Sequence, residues 1–325
     1  MKSRKLGNID ISEVGLGCWQ LGGDWGSVDD STAQKVLETA VESGVTFFDT
    51  ADVYGRGRSE ELICKYLKPL APKAFIATKL GRFPEPGGAE NFTFNSFRKF
   101  TENSLRRLKV DELDLTQLHC IPTELMERGE VFEWLRQLKQ EGKIRAFGAS
   151  VESMEEAQIC LGHDGLTSLQ IIFNLFRQKP ITGLFDLAKA KGVGLIIRLP
   201  LASGLLSGQM HKGSSFPEND HRLFNRDGQC FNVGETFAGI PFQTGVALVD
   251  DLKALVPAGM SLASMALRWI LDFDAVTVVI PGSKTPSQIN ENISSAQLSP
   301  LTKDLHSKLT RFYNEKVAQH VRGKY

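Results

Sequence analysis

Cysteine is scarce in this 325-residue chain and follows no pattern. The five cysteines, Cys18, Cys64, Cys120, Cys160 and Cys230, are odd in number, scattered and without CxxC spacing. That argues against a disulfide framework or a metal site, and for reduced thiols in a cytoplasmic protein. Net charge is also missing, because 38 basic side chains balance 38 acidic ones. No general positive field is therefore available to hold nucleic acid. No segment approaches the ~20 consecutive apolar residues of a membrane span. The opening stretch MKSRKLGNIDISEVGLG has no apolar core of signal-peptide length. No Pro/Gly/Ser linker or block of charge interrupts the chain, so a single domain over residues 1–325 is expected, although the length could hold two.

What the chain does have is a steady alternation of short apolar runs with amphipathic ones. RKLGNIDIS reads as a hairpin turning at Gly7-Asn8, and ISEVGLGC as the strand that follows. A helix then starts near Asp30-Ser31-Thr32 and is stopped by Gly44. Further along, NSFRKFTENSLRRLKV reads as a helix capped by Asn95 or Ser96, and VFEWLRQLKQEG as one stopped by Gly142. Eight strand-helix units can be counted, which predicts an α/β fold, a (β/α)8 TIM barrel. One stretch breaks the rhythm: from Ser203 to about Gly245 the chain is rich in Gly, Ser, Asn, Asp and Pro and has no sustained period. So long an irregular connection is usually a functional loop, and by position it follows strand seven on the mouth side.

Four polar residues lie at or just beyond strand ends: Asp49 in GVTFFDTA, Tyr54 shortly after it, Lys79 closing AFIATK and His119 in ELDLTQLHC. In a parallel barrel those ends converge on one mouth, so residues far apart in sequence can share a pocket. Taken singly, Lys79 could be a snorkelling rim residue, Asp49 a turn cap, Tyr54 a packed aromatic and His119 a satisfied core histidine. Taken together they suit proton transfer to a carbonyl. A tyrosine hydroxyl titrates near pH ~10 in water, and a neighbouring ammonium would stabilise the phenolate and lower that value. Asp49 would hold the lysine, and His119 would orient a substrate oxygen beside a tyrosine general acid.

The motif DTADVYG from Asp49 to Gly55, GLGCWQLGG near the start and IPGSKTPSQINEN near the end occur in the order found in the aldo-keto reductase superfamily, which the chain resembles over nearly its whole length. The resemblance implies an Asp-Tyr-Lys-His tetrad, NADP(H) as cofactor, a hairpin closing the bottom of the barrel, and a loop after strand seven that folds over the cofactor. At residues 280–292 the residues alone suggest a helix N-terminus flanked by Ser283 and Lys284, able to receive a phosphate. The resemblance makes this the adenosine 2′-phosphate, with Glu291 and Asn292 touching adenine. Gln288 stands where many members carry arginine, so Lys284 and Ser283 would bear the contact. Ser150 and Gln170 match residues that hold the nicotinamide carboxamide, whereas Val151 replaces an asparagine. Arg198 takes the place of a tyrosine that often stacks on the nicotinamide; its planar guanidinium could stack there or hold a phosphate or carboxylate. Trp19 and Trp25, in a glycine-flanked loop, either line a substrate pocket or pack.

These readings lead to an expected NADP(H)-dependent oxidoreductase that reduces a small aldehyde or ketone to an alcohol, or runs the reverse, without a metal. Two rivals stay open. A lysine at a barrel strand end can also form an imine, as in a Schiff-base lyase. Alternatively, the barrel and cofactor could serve a regulatory subunit.

Overall fold

Gly7 adopts φ +57°, which lets β1 (Ser3–Leu6) fold back antiparallel on β2 (Ile9–Ser12) with Leu6 opposite Ile9. The computed structural model describes residues 1–325. Eight parallel strands follow: β3 (Leu16–Gly17), β4 (Phe47–Asp49), β5 (Phe75–Leu80), β6 (Leu115–His119), β7 (Phe147–Ser150), β8 (Leu166–Ile172), β9 (Gly194–Arg198) and β10 (Val276–Val279). Each pairs with the next in chain order. The sheet curls until its edges meet, since Gly15 and Gly17 donate to the carbonyls of Val279 and Pro281 at 2.8 and 3.1 Å and Val279 donates to Glu13 at 3.0 Å. This arrangement is consistent with the expected (β/α)8 fold.

The hairpin packs against the N-terminal end of the strands. Its Leu6 and Ile11 are buried with Phe47, Phe75, Leu115, Ile196 and Val278 from the barrel strands. A Cβ at Gly194 would lie 2.5 Å from Leu6 Cδ1, so the missing side chain there makes room for the plug. Burying a leucine of this kind is worth roughly 1.5–3 kcal/mol. Arg4 ties the hairpin down, reaching Glu13 at 2.9 Å and the carbonyls of Leu271 and Val276 at 2.6 Å. A much larger apolar cluster lies between the strands and the helices around them.

Local details refine the sequence expectation in three places. The helix expected to start near Asp30-Ser31-Thr32 does so, spanning Asp30–Glu42, and is capped by Asp29, whose carboxylate accepts from Thr32 N. The next long helix, Phe94–Leu108, is capped by Thr93 rather than by Asn95 or Ser96. Thr93 has extended backbone angles and its hydroxyl accepts from Ser96 N, the geometry a capping residue requires. The irregular stretch after β9 ends before Gly245, because the helix Phe242–Lys253 has already begun. Gly245 serves packing there: a Cβ would come within 2.7 Å of Leu205. Between β9 and that helix the chain forms short turns at Ala202–Ser207, Val233–Glu235 and Phe237–Gly239 and one turn of helix at His221–Phe224. No helix is long and apolar enough to cross a membrane.

Candidate active site

Parallel register aligns the C-terminal strand ends. His119 on β6 stands opposite Ser150 on β7, which stands opposite Gln170 on β8, and Lys79 on β5 pairs with Gln117 on β6. The strand ends open into a cavity of about 560 Å³ that Asp49, Tyr54, His119, Ser150, Gln170 and Arg198 all line.

Lys79 is 1 % exposed and lies at the centre of this polar set. Its ammonium donates to Asp49 Oδ1 at 2.5 Å, to the Thr50 carbonyl at 2.7 Å and to the Tyr54 hydroxyl at 3.2 Å. The other Asp49 oxygen accepts from Gln170 Nε2 at 2.7 Å and from Gln117 Nε2 at 3.3 Å. Burial alone would lower the Lys79 pKa, but Asp49 and Tyr54 outweigh it, and the net direction is up. The lysine therefore stays charged.

Tyr54 corrects the sequence expectation. Burial raises the hydroxyl most, Lys79 lowers it, Asp49 raises it again, and the result is pushed up to about 12. The ammonium acts in the expected direction and loses to desolvation. His119 meets the Tyr54 ring edge-on, with centroids 5.8 Å apart. Burial first, then the charges of Arg82, Lys79 and Arg198, hold its pKa well below the ordinary value. A neutral imidazole is left, with Nδ1 buried and unpartnered. Trp19 stacks on Tyr54 at 5.8 Å and 17°, and its Nε1 donates to Asp24 at 2.9 Å. Trp25 meets Trp19 edge-on at 5.5 Å. Both tryptophans line the cavity, so lining and packing are not alternatives here.

Arg198 holds a carboxylate, but one from its own chain: Nη1 lies 3.5 Å from Glu235. It also donates to the Val151 carbonyl at 3.2 Å, so Val151, in place of the family asparagine, contributes through its backbone. Arg82, Glu235, Gln117 and His221 belong to this neighbourhood, and sequence reasoning missed all four. Arg82 had a signal, three residues beyond Lys79 across Gly81. Glu235 had none, because it lies in the aperiodic stretch. Cys120, Glu152 and Glu235 bring ligand atoms within 4.8 Å of one another, but two guanidiniums already flank the Glu235 carboxylate.

The far end of the cavity is the helix Pro286–Ser294, capped by Thr285, with Ser283, Lys284, Gln288, Glu291 and Asn292 on the lining. Asn292 Nδ2 donates to Ser283 Oγ at 3.0 Å, and Gln288 Oε1 accepts from the Lys284 amide at 2.8 Å. Glu291 accepts from Ser261 at 2.9 Å. The Lys284 ammonium folds onto the Trp25 carbonyl. Burial, then Arg222, lower its pKa against the opposing pull of Asp220. Gly282 leaves room for the Gln20 amide, which a Cβ there would displace.

A family model described as the aldo/keto reductase family matches residues 13–314. Aldo-keto reductase YhdN of Bacillus subtilis is 31 % identical over 291 residues, covering 86 % of this chain and 84 % of that protein. Aldo-keto reductase yakc of Schizosaccharomyces pombe, whose name specifies NADP(+), is 26 % identical over 304 residues, covering 91 % and 87 %. Among solved structures, aldo-keto reductase AKR11C1 from Bacillus halodurans in its holo form superposes with a TM-score of 0.77 at 26 % identity, covering 96 % of each chain.

Proposed function

The chain belongs to the aldo/keto reductase family, and from that premise we propose that it moves a hydride between NADP(H) and the carbonyl carbon of a small aldehyde or ketone, with Tyr54 as general acid. The observation that carries the reading is the buried Asp49–Lys79–Tyr54 chain at 2.5 and 3.2 Å beside a neutral His119.

The residues fit a dinucleotide. One cavity joins the strand-end cluster to a helix N-terminus carrying Lys284 and Ser283, and backbone amides with a cation suit a phosphate. Lys284 and Ser283 would hold the 2′-phosphate, Glu291 and Asn292 the adenine, and Ser150 and Gln170 the carboxamide. Gln170 has its amide nitrogen on Asp49 and would offer its oxygen. NADPH, when bound, supplies the hydride.

Tyr54 gives its proton to the carbonyl oxygen as negative charge gathers there. A hydroxyl at about 12 is protonated throughout the neutral range, as a general acid must be. Lys79 stabilises the phenolate left behind, and Asp49 keeps Lys79 charged and aimed. His119, being neutral, donates one N–H to the same oxygen without adding a charge that would compete for the proton. Trp19 covers one face of Tyr54 and limits water. The imine-forming rival needs a neutral lysine nucleophile, and the ammonium held by Asp49 and the Thr50 carbonyl disfavours it.

The test is NADPH absorbance against a panel of aldehydes, run beside NADH. Tyr54→Phe should lower turnover by ~10² to 10⁴ while leaving the NADPH dissociation constant nearly unchanged. Turnover within a few-fold of wild type removes Tyr54 from the mechanism. Absence of turnover with every carbonyl favours the regulatory-subunit reading, and trapping of a substrate on Lys79 by borohydride favours the lyase.

A further inference from the structure

A second cluster of charge faces the same cavity, and its part in the chemistry above is confined to helping keep His119 neutral. Glu235 is buried and accepts from Arg82 Nη1 at 3.2 Å, while Arg198 Nη1 lies 3.5 Å from the same oxygen. One carboxylate therefore serves two guanidiniums, and Lys79 is already matched by Asp49. Glu152 lies close to Glu235 but makes no ion pair with either arginine. Neither arginine forms an ion pair with any other carboxylate.

The two arginines differ in what they have left to give. Arg198 is committed to Glu235, the Val151 carbonyl and Cys120 Sγ, and its Nε is sealed from the cavity. Arg82 makes a single hydrogen bond, through Nη1, and its side chain stays 27 % exposed on the cavity wall. The edge formed by Nε and the second amino group is free. A guanidinium edge of that kind takes both oxygens of a carboxylate at once.

The placement of Arg82 is that of a substrate contact. It packs 5.6 Å from the Phe231 ring, which lies 6.1 Å from Trp19, the ring stacked on Tyr54. It follows β5, the strand that carries Lys79, by two residues and lines the cavity at that strand's end. Aromatic walls run from Tyr54 to Arg82, and an unspent cationic fork closes them.

We propose that Arg82 is an anion-recognising residue of this active site, and that the preferred substrates are carbonyl compounds that also carry a carboxylate. This rests on the oxidoreductase reading and narrows its substrate class. Carboxylate binding at Arg82 leaves Glu235 on Nη1, so the anion adds to the cluster without displacing the internal ion pair.

The experiment compares succinic semialdehyde with its methyl ester, methyl 4-oxobutanoate, in wild type, Arg82→Gln and Arg82→Lys. A charge-assisted contact is worth roughly ten- to a hundred-fold in affinity. Wild type should therefore favour the acid over the ester by at least about tenfold in kcat/KM. Arg82→Gln should collapse that ratio through KM rather than kcat. Arg82→Lys keeps the charge that Glu235 needs and loses the fork, so its ratio should fall between. An acid-to-ester ratio near one in wild type, or one unchanged by Arg82→Gln, overturns the proposal while leaving the oxidoreductase reading intact. If neither compound nor any neutral aldehyde is reduced, the oxidoreductase reading fails instead, and the anion site is then read by calorimetry with succinate and NADP⁺. A succinate dissociation constant at least tenfold weaker in Arg82→Gln upholds it, and an equal one overturns it.

Discussion

Replacing Lys79 by methionine separates what the buried ion pair does for the fold from what it does for catalysis. Lys79 and Asp49 are 1 % and 3 % exposed and 2.5 Å apart. Deleting one partner of a buried pair typically costs about 3–5 kcal/mol, because a charge is left unpaired. Asp49 would keep the amides of Gln170 at 2.7 Å and Gln117 at 3.3 Å, which places the expected loss at the low end, about 3 kcal/mol. The pKa of Lys79 is raised in the fold, so its contribution is fully present below its ordinary value of 10.5 and is lost as pH rises through the folded value. Measurement near neutral pH therefore reads the whole effect. Urea unfolding gives the stability, and NADPH consumption with an aldehyde gives the rate, expected to fall by ~10² to 10⁴ as the phenolate loses its cation. The decisive variant combines Lys79→Met with Asp49→Asn. It removes both charges while keeping an oxygen for the two glutamine donors, so most of the stability should return and the activity should not. A double variant as unstable as the single one would show that the cost is not an unpaired carboxylate. A double variant that regained turnover would show that Lys79 does not assist Tyr54.

Two further outcomes follow from the same structure. His221 is buried and its pKa falls from 6.5 to about 4, mainly through burial. Its stabilising neutrality is complete above 6.5 and is lost as pH falls towards 4, a difference of about 3 kcal/mol. Urea titrations across that window should show His221→Gln losing less stability than wild type, and identical pH dependences would refute the assignment. Lys284→Ala should weaken NADPH binding by roughly ten- to a hundred-fold, nearer ten because the ammonium must first leave the Trp25 carbonyl, and should leave NADH little changed. Fluorescence quenching measures both constants, and equal weakening of the two cofactors would mean that Lys284 does not read the phosphate.

Much of this protein is local and therefore legible in the sequence. Alternating apolar and amphipathic runs determine eight parallel strands with helices between them, and strand ends determine where Asp49, Lys79 and His119 emerge. Tyr54 follows Asp49 by one short turn, so those two share a neighbourhood, and Lys79 from β5 joins them. Ser283 and Lys284 are likewise local, standing beside the start of their own helix. Tertiary structure alone decided the electrostatics. The direction of the Tyr54 pKa is set by how much protein crowds it, and desolvation there outweighs the lysine that the spacing so plainly predicts. Gln170 reaches Asp49 across 121 residues, and Arg82 reaches Glu235 across 153. No periodicity marks Glu235, because it lies in an irregular stretch whose path is fixed by what it packs against. A charge in such a place acquires its partner, its burial and its protonation from segments distant in the chain, and those exist only once the barrel has closed.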